Sequence, residues 1–263
     1  MKRVIFLALV VLTAVLTMSA QQSRTVQNRP YTDLRPFHFG ILVGTHVQDL
    51  ELLNVGPQTI QNEDGTETTR LITADQDRWD NGFSVGVLGE FRLSRLFQFR
   101  LAPAMYFGQR HLTFHEFSPS ALPSGEGSAE GEEAESEVLT NERVQNLKTA
   151  YITCAADVIF GSVRNGNMRP YMMAGLNPVI NLSGSESDIL RLKRTDLYFE
   201  FGVGCDFYMP FFKLRPELKF MLGLTDCLNH HHAENLRDVN LRVFSNSVSR
   251  ATSRMIALTF YFE

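Results

Sequence analysis

Cysteine is scarce in this chain: Cys154, Cys205 and Cys227 are the only ones among 263 residues. An odd number, at spacings that match no zinc or redox motif, argues against a disulfide scaffold and supplies no metal framework. Small apolar packing is the expected role of Cys154 and Cys205. Charge of one sign is lacking too. The 25 Lys and Arg against 29 Asp and Glu leave a formal net charge of −4, so no global field recruits nucleic acid, which is not expected as a partner. Long hydrophobic runs are missing beyond the N-terminus, which excludes a bundle of membrane helices, each needing about 20 apolar residues. No glycine-rich phosphate loop, Walker pattern or dinucleotide fingerprint occurs, and no Ser–His–acid order is recognisable. No cofactor, no metal and no catalysis are therefore expected.

What is present begins with Lys2 and Arg3, followed by the apolar run Val4 to Thr17 and a small residue at Ala20. A basic start, a short apolar core and a small residue read as a secretory signal peptide over residues 1–20. Residues 21–36 then form a periplasmic N-terminal segment, and the body of the chain is 37–263.

That body alternates. In 213–224, Leu214, Pro216, Leu218, Phe220, Leu222 and Leu224 share one parity, and Lys213, Arg215, Glu217 and Lys219 share the other. The same period of two recurs in 37–47, 83–92, 97–108, 150–160, 171–181, 197–208 and 255–263, which makes eight segments. Successive side chains of a strand point to opposite faces, and each segment is close to the roughly 9–11 residues a tilted strand needs to cross a bilayer. The links alternate in length: 48–81, 109–149, 182–196 and 225–254 are long, whereas Leu93–Leu96, Gly161–Pro170 and Met209–Phe212 are short. Long loops at one end and short turns at the other predict an eight-stranded antiparallel transmembrane β-barrel of the outer membrane, with outer-membrane lipid as its surroundings.

In lipid the apolar face points outward, so Phe199, Phe201, Leu218, Phe220 and Leu258 are expected to face hydrocarbon. The opposite parity carries Arg100, Asp157, Glu200, Asp206, Arg215, Glu217 and Lys219, together with Glu90 and Arg92. An eight-stranded barrel has an interior that side chains fill. These charges, with Tyr151 and Tyr198, are expected to plug the lumen as a paired structural network, since a buried charge is tolerated only when paired. Pro103, Pro178 and Pro216 fall on the outward parity of strands, where each removes a ladder donor; bulges or short unpaired stretches are expected there.

Three pieces stand outside the pattern. Residues 118–143 hold seven Glu and one Arg, a local charge of −6, in a Gly-, Ser- and Ala-rich context. Such composition predicts a disordered acidic surface loop. The adjacent His230, His231 and His232 read as a surface loop, because neighbours in sequence do not converge readily on one ion. His111 and His115 share a strand face near a rim, and no nucleophile accompanies them.

Four stretches, 35–52, 82–108, 214–224 ("LRPELKFMLGL") and 250–263 ("RATSRMIALTFYFE"), resemble the PorT family of outer-membrane components of the type IX secretion system of Bacteroidetes. The resemblance implies an accessory or assembly role in exporting C-terminally tagged cargo, with other secretion-system components as partners and no catalytic residues. A general outer-membrane structural or adhesion barrel is the alternative reading, and a membrane-embedded lipid-modifying enzyme the second.

Overall fold

Alternation becomes strand along the chain, and the strands close into a ring. The computed structural model describes residues 26–61, 67–117, 139–184, 188–235 and 239–263. A short 3-10 turn at Thr32–Leu34 precedes β1 (Phe37–Asn54), β2 (Pro57–Gln61), β3 (Glu67–Arg78), β4 (Asn81–Arg92), β5 (Phe97–Phe117) and β6 (Leu139–Gly161). These are followed by β7 (Met168–Asn181), β8 (Thr195–Tyr208), β9 (Lys213–Gly223), two short helices, α1 (His232–Asn235) and α2 (Val239–Asn246), and β10 (Val248–Phe262). The order β5-β4-β1-β10-β9-β8-β7-β6, with β6 returning to β5, is an eight-stranded antiparallel barrel. First and last strands seal it, from Ile41 opposite Phe262 to Asn54 opposite Val248. Closure removes the free edge that hydrocarbon does not tolerate.

The strands reach further than the apolar alternation indicated. The link 48–81 contains the end of β1, all of β2 and all of β3, and the link 109–149 includes the paired ends of β5 and β6, 109–117 and 139–149. Beyond the belt the outward positions turn polar (Asp49 and Glu51 on β1, Gln109 and His111 on β5), so the alternation of oily and ionic residues fades while the ladder continues. β3 and β4 are two halves of one line of chain against β5, with Arg78 opposite His111 and Phe83 opposite Phe107. The acidic loop is correspondingly shorter. Leu139 to Arg143 belong to β6, with Arg143 opposite Phe114, whereas residues 118–138, like residues 1–20 where a signal peptide is expected, lie outside the described residues.

The short turns are tight and capped. Ser94 Oγ accepts from the Phe97 amide at 3.1 Å. In the β6–β7 turn, Gly166 has φ +60°, a left-handed conformation that costs glycine little.

Each of the three prolines sits in a two-residue break of the ladder on one side only. Bridges lapse between Gly86–Ala104 and Gly89–Leu101 beside Pro103, between Thr153–Val179 and Ala156–Leu176 beside Pro178, and between Gly204–Glu217 and Phe207–Leu214 beside Pro216. The register is the same before and after each break. No bulge is needed, because losing one donor does not displace the chain.

Outward positions are apolar and exposed from Phe39 to Val43 on β1 and at Val87, Leu101, Val158, Leu176, Phe201, Leu218 and Leu258. Inward, two clusters stack along the axis. Leu42, Leu88, Tyr106, Tyr151, Tyr198 and Tyr261 belong to the core inside the ring. Leu50, Ile72, Leu112, Phe114, Leu190, Leu228, Val243 and Phe244 belong to a second core at the long-loop end, where β3, α2 and the loops lie over the mouth.

Candidate functional site

The inward parity of β4 to β10 brings the charges together in the half of the lumen nearer the short turns. Register places Arg100 between Glu90 and Asp157 on its two neighbouring strands. Its guanidinium reaches across the lumen to Glu217, with Nη1 donating to Oε2 at 2.9 Å and Oε1 at 3.1 Å. Glu217 also accepts from the Tyr171 hydroxyl at 2.7 Å and the Tyr261 hydroxyl at 3.0 Å. Lys219 Nζ donates to Glu200 Oε1 at 3.1 Å and lies 3.5 Å from Glu217 and 3.9 Å from Asp157. Asn177 donates to the other Glu200 oxygen at 2.9 Å. Arg215 forms ion pairs with Asp206 at 2.5 Å, with Glu263 at 2.6 Å and, at close contact, with Glu90.

Rings and missing side chains complete the packing. Arg100 lies 4.4 Å from the Tyr261 ring centre and Arg215 4.8 Å from that of Tyr171; a desolvated cation over an aromatic face gains from the ring quadrupole. Gly175 stands in register between Asp157 and Glu200, and a Cβ there would come 2.3 Å from Asp157 Oδ1. At Gly204 a Cβ would come 2.4 Å from the Tyr171 hydroxyl oxygen. These two glycines are room for the network.

All seven charges read from the sequence, Arg100, Asp157, Glu200, Asp206, Arg215, Glu217 and Lys219, are at most 2% exposed and lie in this one network. Glu90 joins them. Arg92 does not: it reaches the short-turn rim, where Nε donates to the Ser94 carbonyl at 3.4 Å. The network also holds Lys213, paired with Glu263, and His38, 3.7 Å from Glu263. These members sit at strand ends, where parity was the only available signal.

A second polar layer lies above, and the sequence reading missed it. Buried Arg110 donates from Nε to Gln48 Oε1 at 3.1 Å and from Nη2 to Ser253 Oγ at close contact. Thr149 donates to the same Gln48 oxygen at 3.0 Å, and Gln48 Nε2 meets His46 Nε2 at 3.0 Å. Gln48, Arg110 and Thr149 continue the inward parity of their strands, but each falls in a stretch taken for a link.

Both mouths are covered. At the short-turn end the N-terminal segment crosses the opening. Asn28 bonds Asn167 and the Tyr208 carbonyl at 2.9 Å each, and Arg29 donates to the Glu263 carbonyl at 3.0 Å. Asp33 accepts from the Tyr208 hydroxyl at 2.6 Å and faces Arg169 and Arg164 at 3.8 and 3.9 Å. At the other end, Phe244 of α2 meets Phe114 edge to face at 5.9 Å, and Arg143 lies over the Phe244 ring.

In that cap, Asp226 accepts from the Leu228 and Ala251 amides at 3.1 and 3.0 Å and pairs with His230 at 2.7 Å. Partial burial opposes its charge, but the Ala251 amide, His230, the Leu228 amide and Lys193 outweigh it and hold the carboxyl at about 2. Burial pushes the neighbouring Cys227 thiol up to about 12, which makes it a packing group. His230 and His232 turn to different partners, Asp226 and the Asp188 carbonyl. Among the described residues no three His, Cys, Asp or Glu side chains form a metal-holding group. His111 bonds Asn146 at 2.7 Å, and His115 lies opposite Glu142.

A family model described as an outer membrane protein beta-barrel domain matches residues 19–229. Comparison with curated proteins finds no match. Among solved structures, Ail, the attachment invasion locus protein of Yersinia pestis, in complex with the heparin analogue sucrose octasulfate, is 11% identical over 87% of this chain and 99% of its own, with TM-score 0.35. Neisserial surface protein A is 12% identical over 86% and 98%, TM-score 0.38. OprG of Pseudomonas aeruginosa is 10% identical over 85% and 91%, TM-score 0.40.

Proposed function

The chain belongs to this outer-membrane β-barrel family, and from that membership we infer that it is a closed, non-conducting barrel of the outer membrane, serving a structural or adhesive role through its cell-surface end. The observation that carries this reading is the filled lumen. Among the described residues an apolar cap, two polar layers and the N-terminal crossing lie one behind another along the axis. In barrels of this kind the short turns face the periplasm and the long loops the outside. On that orientation β3 and the upper parts of β5 and β6 rise beyond the lipid belt as a sheet on the cell surface. No catalytic step belongs to this reading.

A second reading is an accessory part of a type IX protein secretion system. It is supported by the resemblance of 35–52, 82–108, 214–224 and 250–263 to the PorT family. Deleting the gene separates the two. A structural or adhesive barrel predicts normal arrival of tagged cargo at the cell surface, with altered surface attachment or detergent sensitivity. Cargo retained in the periplasm of cells whose envelope stays intact would overturn that reading in favour of secretion.

A further inference from the structure

The long link between β7 and β8 carries three basic residues, Arg191, Lys193 and Arg194. Lys193 is engaged: its Nζ lies 3.4 Å from the Asp226 carboxylate and donates to the Asp226 carbonyl at 2.9 Å. Among the described residues neither the Arg191 nor the Arg194 guanidinium has a hydrogen-bond or ion-pair partner. Both line a cavity of about 380 Å³ at the long-loop mouth, with Asn181, Leu182, Gly184 and Asn229 also in its wall. Among the described residues no Asp or Glu lines it. The carboxylates on the neighbouring loops are taken up elsewhere, Asp226 by Lys193 and His230 and Asp196 by the Thr225 hydroxyl. Gly184 has φ +124°, which favours glycine, and a Cβ there would stand 3.5 Å from Arg191 Nε, so this guanidinium lies against the turn. Asn181 Oδ1 accepts from the Ser183 amide and the Ser183 hydroxyl at 2.9 Å each, which leaves its Nδ2 as an unused donor.

Two guanidiniums without a carboxylate call for an anion, and the planar fork of arginine matches the oxygens of a phosphate. The cavity is as large as a small-molecule site, more than one ion fills, and its amide side chains suit hydroxyl groups. We propose that it binds a phosphorylated sugar, with the phosphate on Arg191 and Arg194 and ring hydroxyls on the amides of Asn181 and Asn229. The site stands at the upper edge of the apolar belt. Ile180, on the outward face of β7, and Leu182, in the cavity wall, are both exposed, and the arginines lie in the loop beyond them. A sugar phosphate reaches that level either from solution or as the headgroup of a glycolipid. The loop geometry offers the same contacts to both, and it does so whichever functional reading holds.

Glucose 1-phosphate, titrated calorimetrically into the barrel in an uncharged polyoxyethylene detergent, should give a saturable heat. Arg191→Gln and Arg194→Gln should each raise the Kd by about tenfold. Arg194 is exposed, so its variant carries the test should Arg191→Gln lose heat-modifiable migration. An unchanged Kd in a folded variant, or an equal heat from sodium chloride at the same ionic strength, would overturn the site. Inorganic phosphate should bind more weakly than glucose 1-phosphate; equal affinity would overturn the sugar half of the assignment. Lipid discs containing lipid A, with and without its sugar phosphates, then identify the source. Loss of the glucose 1-phosphate heat only in discs that keep those phosphates assigns the glycolipid headgroup, and equal heat in both assigns a soluble sugar phosphate.

Discussion

Glu217 shows at the scale of one residue how an ion is kept inside a membrane barrel. Its two oxygens take Arg100, Tyr171 and Tyr261, and Lys219 stands 3.5 Å away. Removing it leaves the fully buried Arg100 short of its nearest carboxylate. Glu217→Ala should therefore cost about 3–5 kcal/mol, the range for breaking a buried pair, measured as a shift in the urea midpoint of heat-modifiable migration in vesicles. A loss under about 1 kcal/mol would mean that Glu90 and Asp157 suffice. Asp226, in the cap, carries the pH dependence. Its folded carboxyl sits at about 2, below the ordinary 3.8, so its stabilisation is complete above the unfolded value and is lost as pH falls through the folded one. The protection of amides in residues 225–232, after division by the intrinsic exchange rate at each pH, should stay high at neutral pH and fall between about pH 4 and pH 2, while Asp226→Asn should be poorly protected throughout; identical protection curves for the two proteins would remove Asp226 from the account. The lumen charges were legible because parity alone separates Glu217 from Leu218. Arg110 was not, since its flanking residues, Gln109 and His111, are also polar and leave no contrast to read.

The eight ring strands could be read as elements because two environments, lipid and lumen, act on alternate residues. Where one of those environments ends, so does the signal. β3 has a polar outer face and was read as part of a loop, and the seam between it and β1 is bridged by side chains. Asn54 bonds the Ala74 amide and carbonyl at 2.9 and 3.2 Å, and Gln76 donates to the Gln48 carbonyl at 2.7 Å. Helices α1 and α2, of four and eight residues, are too short for a helical period to stand out within a link. Their contribution is local. Phe244→Ala should cost the cap about 3–5 kcal/mol, as expected for emptying a buried aromatic site. Faster hydrogen exchange in residues 188–192 and 239–246, with unchanged protection of the ring strands, is the expected pattern. Equal loosening of β4 and β9 would show that cap and barrel unfold as one unit.

At the scale of the whole molecule, the arrangement along the axis decides whether anything passes. The cap closes the long-loop mouth with apolar side chains, the Arg100–Glu217 layer fills the waist with paired ions, and the crossing of Asn28 to Asp33 closes the short-turn mouth. Eight strands leave a lumen that side chains can fill, and here the filling is repeated in layers that depend on different forces. The wild-type barrel should therefore be silent in a planar bilayer under applied voltage. Replacing residues 232–246 with a short Gly-Ser linker should leave it silent, because the ionic layer below is held by strands β4 to β10 and makes no use of the helices. Adding Arg100→Ser and Glu217→Ser to that variant removes one of the ion pairs that span the waist and should produce a measurable ion current, provided the protein retains heat-modifiable migration. A current from the linker variant alone would show that the cap is the only seal and that the ionic layer is permeable. Silence of the triple variant would leave the seal to the Gln48–Arg110–Thr149 layer, to the Arg215–Glu90 pair or to the crossing of Asn28 to Asp33, which Arg110→Ser, Arg215→Ser and truncation before Pro36, each in the same background, would separate.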